Sequence, residues 1–396
     1  MVGQEHKILI NRLMTIKMKK SAIIFSALAA GALFSCTKPE ALNLQPEYKY
    51  TDAYYEALRA YKESDHSICY LWFADYGVPS TLAYRFAGIP DSVDVVSLWG
   101  GIPKEGTLDR QEMYEMRRKK GTKVVGVKII RLAHTSYLPS WALEIEVPAY
   151  MNGYGDRPGY NETYKTTYEE RIEAGDSETV AAAAAESAAR MAGTRALIAD
   201  MGANQSRTLK EGSTEENPEW IYPEWCIYAG NSIMKEITDN DLDGYDLDYE
   251  PEGDALSGEC MKTFVQYLSQ FIGPASPNPH TILAVDGNQP PAGTEELCTY
   301  WISQSYGRTI GESNFNRSGW KNSQLIFTEN IGDTWATGGV MEQQAAFQPS
   351  TGGRKGGFGA FHGQRDYNTT DSGADKDMPY GHLRRAIQLQ NPAVKY

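Results

Sequence analysis

Eight short apolar runs, each closing on polar or aromatic residues, punctuate the chain after about residue 60. They are Ser67–Phe73, Val93–Trp99, Lys123–Ile130, Gly244–Glu250, Thr281–Asp286, Tyr300–Tyr306, Gln324–Thr328 and Gly357–His362. Near-continuous apolar runs of this length are the mark of parallel strands covered on both faces. Helical patterns fall between several of them, at about 107–119, 178–200, 225–238, 256–272, 339–347 and 380–390. The Ala-rich stretch Val180–Ala189 is the strongest helix former among these. Eight strands alternating with helices predict an α/β fold, a (β/α)8 TIM barrel formed as one domain over residues 61–396. The connection from the third to the fourth run, roughly Ala133 to Thr238, is too long for one helix and predicts an insertion. The connections Gly287–Thr299 and Gly307–Asn322 are short, the first holding Gly and Pro and the second Gly, so the fifth and sixth helices are expected to be reduced.

The N-terminus reads as an address. Met18-Lys19-Lys20 opens a run of apolar and small residues from Ser21 to Phe34, the layout of a secretory signal too short to span a bilayer comfortably. Leu33-Phe34-Ser35-Cys36 resembles a bacterial lipobox, which implies lipidation of Cys36. Residues 1–35 are then a lipoprotein signal peptide and 36–60 a lipid-anchored tether with a lead-in helix. The expected location is the bacterial cell envelope, at the outer membrane or cell surface, with the membrane as a partner through the lipid anchor.

Composition narrows the picture further. The 396 residues hold 41% hydrophobic and 22% charged side chains, a globular balance that excludes wholesale disorder. With Asp+Glu 51 against Lys+Arg 38 the net charge is -13, so no nucleic-acid partner is expected, because phosphate contacts need clustered bases. Cys69, Cys226, Cys260 and Cys298 form no CxxC pair, their disulfide pairing stays open, and no metal or cofactor motif is present.

The chemistry concentrates in Asp243-Gly244-Tyr245-Asp246-Leu247-Asp248-Tyr249-Glu250. On a strand, positions i, i+2 and i+4 share a face, so Asp246, Asp248 and Glu250 point one way and Tyr245, Leu247 and Tyr249 the other. In a barrel the acidic face is the interior, near the C-terminal rim where active sites lie. Three carboxyls that close in a partly dry site cannot all ionise freely, so at least one is expected to hold a proton near neutral pH. The segment Asp239-x-Asp241-x-Asp243-Gly244-x5-Glu250 also satisfies the EF-hand calcium pattern. Against that reading, the normally apolar eighth position is Asp246, and Pro251-Glu252-Gly253 does not continue as a helix.

The motif Asp-Gly-x-Asp-x-Asp-x-Glu at a strand end resembles the signature of glycoside hydrolase family 18, as does the approaching helix with Tyr228–Met234. The resemblance implies substrate-assisted cleavage with retention. Glu250 would protonate the glycosidic oxygen and later activate water. Asp248 would orient the 2-acetamido group that attacks the anomeric carbon, with Asp246 supporting Asp248. In Gln304-Ser305-Tyr306-Gly307, Gln304 and Tyr306 share a face, and the resemblance implies that the Tyr306 hydroxyl donates to the acetamido oxygen. Two features depart from the chitinase pattern: Val124-Val125-Gly126-Val127 stands where a Ser-x-Gly-Gly is frequent, and Phe361-His362 replaces a strand-eight tryptophan. Both fit the family's endo-β-N-acetylglucosaminidases better, and bacterial lipid-anchored members of that kind cut N-linked glycans between the two core N-acetylglucosamines. The expected partner is therefore an N-glycan or glycoprotein substrate, with a chitinase-like hydrolase or a non-catalytic glycan-binding barrel as alternatives. Further substrate-binding candidates lie at strand ends: Trp72 and Trp99 as sugar floors, and Asp286, Asn288, Glu329, Asn330 and Trp335 for glycan arms. His362 reads as structural.

Overall fold

The computed structural model describes residues 50–132, 160–214, 216–252, 256, 258–368 and 378–392. Eight parallel strands close into a barrel: β1 (Ile68–Phe73), β2 (Val95–Leu98), β3 (Lys123–Ile129), β4 (Gly244–Tyr249), β5 (Ile282–Gly287), β6 (Tyr300–Ser303), β7 (Leu325–Asn330) and β8 (Gly357–Phe361). Each strand pairs with its neighbours in sequence order, and β8 closes on β1 through the register Ile68↔Gly357 to Leu71↔Ala360. All eight coincide with the apolar runs of the sequence, and the fold is a (β/α)8 barrel.

The pleat sorts the side chains into two cores. Ile68, Tyr70, Trp72, Val95, Val125, Val127, Ile282, Ala284, Ile302 and Ile326 fill the interior. The alternate residues, among them Leu71, Val96, Val124, Tyr245, Leu247, Val285, Phe327 and Phe358, pack outward against the helices. Among the described residues the longer helices are α1 (Asp52–Lys62), α2 (Leu108–Lys120), α3 (Tyr160–Glu173), α4 (Glu178–Asp200), α5 (Glu224–Asp239), α6 (Gly258–Leu268), α7 (Met341–Ala346) and α8 (Gly381–Gln390), with one short turn of helix, Ile331–Thr334, directly after β7. Local chemistry sets their ends. Thr107 accepts from the Arg110 amide to start α2, and Gly121 at φ 68° ends it after four basic residues that oppose the helix dipole.

The insertion between β3 and β4 holds α3, α4 and a small antiparallel hairpin of Thr208–Leu209 with Trp220–Ile221 before α5. Residues 133–159 of that connection lie outside the described residues. Among the described residues the β5–β6 link has no helix, and the β6–β7 link has two short 3-10 turns, Glu312–Phe315 and Asn322–Gln324. Reduced fifth and sixth helices are what the Gly/Pro content of those links predicts.

One glycine in the acidic motif is fixed by geometry. Gly244 has φ 151°, and a Cβ there would sit 2.0 Å from the Ile282 carbonyl oxygen of β5. Only glycine lets β4 lie against β5 in this register, which sets Asp248 beside Asp286.

Candidate active site

Strand β4 delivers its carboxyls in layers along the barrel axis. Deepest is Asp246, fully buried, whose Oδ2 accepts from Tyr70 Oη at 2.6 Å, Trp72 Nε1 at 3.1 Å and Ser97 Oγ at 3.3 Å. Its pKa is pushed up to about 6, because burial outweighs the donors that favour the anion. Above it, Asp248 is 3% exposed and is raised to about 7, first by burial and then by the charges of Glu250 and Asp246. A hydrogen bond from Gln304 and the charge of Arg131 partly oppose that shift. Glu250 follows the last strand residue, with its side chain 41% exposed and 3.7 Å from the Arg131 guanidinium. The Arg131 Nη1 also donates to the Glu252 carbonyl at 3.3 Å, so this side chain links the β3 end to the segment after β4.

Neighbouring strands complete the layer. Asp286 of β5 is 1% exposed, and Gln304 Nε2 donates both to its Oδ2 at 2.8 Å and to Asp248 Oδ1 at 3.3 Å. Tyr306 lies close enough to Asp286, Asp248, Asp246 and Glu250 that their charges add to burial in holding its hydroxyl well above the ordinary range. It is therefore a dedicated proton-bearing donor at any working pH.

An aromatic lining surrounds these groups. The Phe361 ring stacks with Tyr306 at 5.9 Å between centroids and meets Trp72 edge-on at 6.1 Å and Trp99 at 5.2 Å. Phe361 occupies this place on β8, and the sequence marked it there only as the substitute for a tryptophan. Tyr70 and Ser97 were also missed. Both stand two residues before an expected rim aromatic, Trp72 and Trp99, and that spacing alone places them inside.

The remaining candidates separate into two groups. Trp72 is 1% exposed with its indole N–H spent on Asp246, so it braces the carboxylate from within rather than presenting a face. Trp99 and Asn330 reach the rim, where the Asn330 amide donates to Asp333 at 2.8 Å. Asn288 is exposed beyond β5, and Trp335 is 37% exposed on the segment after β7. Glu329 alone turns away from the interior: it shares the outward face of Leu325 and Phe327, and its carboxylate accepts from the backbone N–H groups of Gly307, Asn330 and Val340. Those bonds staple the loops after β6 and β7. His362, at φ 52°, pairs with Gln364. Cys36 lies outside the described residues, and Cys69, Cys226, Cys260 and Cys298 are free thiols.

The EF-hand pattern is dispersed by the fold. Arg117 binds Asp241 at 2.7 Å and Asp243 at 3.0 Å at the foot of β4, while Glu250 stands at its head. Seven residues of extended chain separate Asp243 from Glu250 by about 23 Å, far beyond one ion's coordination sphere.

The closed parallel barrel thus carries a stack of carboxyls, an amide and a tyrosine at the C-terminal ends of its strands. Residues 34–174 match the model for glycoside hydrolase family 18, BT1044-like, and residues 190–359 match that for the endo-beta-N-acetylglucosaminidase EndoS TIM-barrel domain. The two matches fall on separate parts of the chain, one towards each end of the barrel. A solved structure of a selenomethionine variant of BT1044 is 20% identical, covers 86% of this chain and 93% of that chain, and superposes with TM-score 0.58, a shared fold. Two others align more loosely. An apo endo-beta-N-acetylglucosaminidase from Cordyceps militaris is 17% identical over 87% of this chain and 98% of that one, TM-score 0.46. A GH18 chitinase from Pseudoalteromonas aurantia is 14% identical over 82% and 100%, TM-score 0.42. No curated protein sequence matches the chain.

Proposed function

We propose that the protein is a retaining endo-β-N-acetylglucosaminidase that cleaves the di-N-acetylchitobiose core of N-linked glycans by substrate-assisted catalysis. The observation that carries this reading is the layer Asp248–Gln304–Tyr306 beneath a half-exposed Glu250. Glu250, at the mouth, protonates the leaving glycosidic oxygen. The acetamido carbonyl of the sugar on the other side of that bond attacks the anomeric carbon and forms an oxazolinium ion. Asp248 accepts from the acetamido N–H and balances the charge that develops there, while the Tyr306 hydroxyl donates to the acetamido oxygen and aligns it. Glu250 then takes a proton from water, which opens the ring with net retention. Asp246, with three donors on one oxygen, anchors the base of the stack.

The match to an EndoS-type endo-beta-N-acetylglucosaminidase barrel over residues 190–359 supports a glycan substrate. Trp99, Phe361, Asn288, Asn330 and Trp335 are rim positions for its arms. Incubating the purified protein with a glycoprotein and weighing the products tests the reading directly. The expected mass on the protein is one residual N-acetylglucosamine per site. Activity confined to chitooligosaccharides replaces the substrate with chitin, and glycan binding without cleavage leaves a lectin-like barrel. Glu250→Gln is expected to lower turnover by about 10²–10⁴-fold while glycan binding persists.

Anchoring through Cys36 is part of the same proposal, with the barrel held at the bacterial cell envelope. Cys36→Ala is expected to move the protein out of the membrane fraction at unchanged specific activity. A variant that stays membrane-bound after carbonate washing refutes the anchor.

A further inference from the structure

Two oxygen atoms at the base of the site lack the donors that an ionised carboxylate requires. Asp246 Oδ1 and Asp286 Oδ1 are both buried, and neither receives a hydrogen bond from any nitrogen or hydroxyl. The opposite oxygens are well supplied. Asp246 Oδ2 takes three donors, from Tyr70, Trp72 and Ser97, and Asp286 Oδ2 takes the Gln304 amide at 2.8 Å. The two carboxyls stand within hydrogen-bonding reach of each other across β4 and β5. Two anions in that position would repel in a dry interior, and each would leave a charged oxygen unpaired. A single proton between them removes the repulsion and satisfies both atoms.

The donor count decides which carboxyl holds it. Three donors converge on Asp246 and stabilise its anion, whereas Asp286 has one neutral amide. We infer that Asp286 is a neutral, proton-bearing positioning residue whose carboxyl O–H donates to Asp246 while its other oxygen holds Gln304. It is then a strut of the catalytic layer rather than a substrate contact. Burial, then the charges of Asp246 and Asp248, push its acidity in the same direction. The groups that face it are Asp246 and Asp248 from β4, Gln304 and Tyr306 from the β6 end, and Tyr70 from β1.

The arrangement also fixes the Gln304 amide. Its nitrogen serves Asp286 and Asp248 together, which uses both N–H bonds and holds the Asp248 carboxyl in place. An ionised Asp286 would draw that amide toward itself and repel Asp248. The neutral form lets Asp248 alone carry the charge that the proposed reaction uses, and to that extent the inference rests on the functional reading above.

Infrared difference spectroscopy under H/D exchange tests the proton without any turnover. In mildly alkaline buffer, above the range where Asp248 titrates, wild type is expected to show the carbonyl stretch of one protonated carboxyl. The band should persist in Glu250→Gln and vanish in Asp286→Asn. A wild type with no such band, or a band that survives Asp286→Asn, overturns the assignment. Should Asp286→Asn fail to melt cooperatively, Asp246→Asn serves instead: the proton loses its anionic acceptor, so the band must shift, and an unmoved band refutes the pair. Turnover gives a second readout. The expected order is wild type, then Asp286→Asn, then Asp286→Leu, with kcat in the Leu variant down about 10²-fold and KM little changed. A rise in KM at constant kcat would make Asp286 a substrate contact and defeat the inference. Absence of glycosidase activity in wild type would defeat the functional reading while leaving the infrared result to stand alone.

Discussion

Burial raises the Asp248 carboxyl from its ordinary 3.8 to about 7, with the charges of Glu250 and Asp246 adding to the effect. Between those two values the native protein holds a proton that the unfolded chain has released. The extra proton stabilises the fold fully at low pH, and the benefit is lost as pH rises through 7. At working pH the site therefore strains the fold that carries it. Asp248→Asn keeps the shape and the acceptor for Gln304 but removes the buried charge. It is expected to stabilise the protein by on the order of 1–3 kcal/mol at about pH 8 and to change nothing at about pH 4. Calorimetric melting at the two pH values checks this, and an equal shift at both would show that charge is not the cause. The same variant is expected to lose most turnover, since stability and function pull against each other at this residue. Parity along β4 made Asp246, Asp248 and Glu250 readable from sequence alone. That at least one carboxyl would hold a proton near neutral pH was readable too, but which one was not, because that depends on Asp286 standing across the sheet and on Tyr70, Trp72 and Ser97 arriving from two other strands.

At the scale of elements, the eight strands were legible because a parallel strand covered on both faces has little choice but to be apolar throughout. The helices followed from their caps and periodicity, and the weak fifth and sixth connections from Gly and Pro. Glu329 shows where reading stops. Its nearness in sequence to a strand end made it a candidate, yet counting by twos from Ile326 puts it on the outer face. Tyr70 and Ser97 were overlooked for the converse reason: each sits inside an apolar run, where a polar group is easily taken for packing. Strand β8 shows how tightly the interior constrains sequence. A Cβ on Gly359 would lie 2.8 Å from the Tyr70 carbonyl oxygen and 2.9 Å from Thr328 Cγ2. Gly359→Ala is expected to cost about 1–3 kcal/mol by forcing β8 off β1. It should also lower activity by disturbing the Tyr70–Asp246 bond. Urea titration followed by the glycan-release assay measures both, and an unchanged midpoint would mean that the strands give way at no cost.

Across the whole molecule the barrel has a seam, and the last described helix sews it. Gln390 at the end of α8 donates to the Ser67 and Ile68 carbonyls at 2.9 and 3.1 Å, and Asn391 donates to Ser67 at 2.7 Å. These bonds tie the end of α8 to the start of β1, more than 320 residues away along the chain. Removing residues from 381 onward is expected to abolish cooperative unfolding, which circular dichroism during heating would register; a truncated chain that still melts sharply would show the seam to be dispensable. A ribosome adds roughly 5–20 residues per second, so β1 spends on the order of 15 to 60 seconds without the partner that completes it. For that interval the strand is an open edge, able to pair with whatever strand it meets first. Folding of this protein is thus a race between the arrival of β8, followed by the helix that ties it down, and mispairing of β1. Slower translation, or a chaperone that shields the first strand, would be expected to change yield without altering a single atom of the finished site.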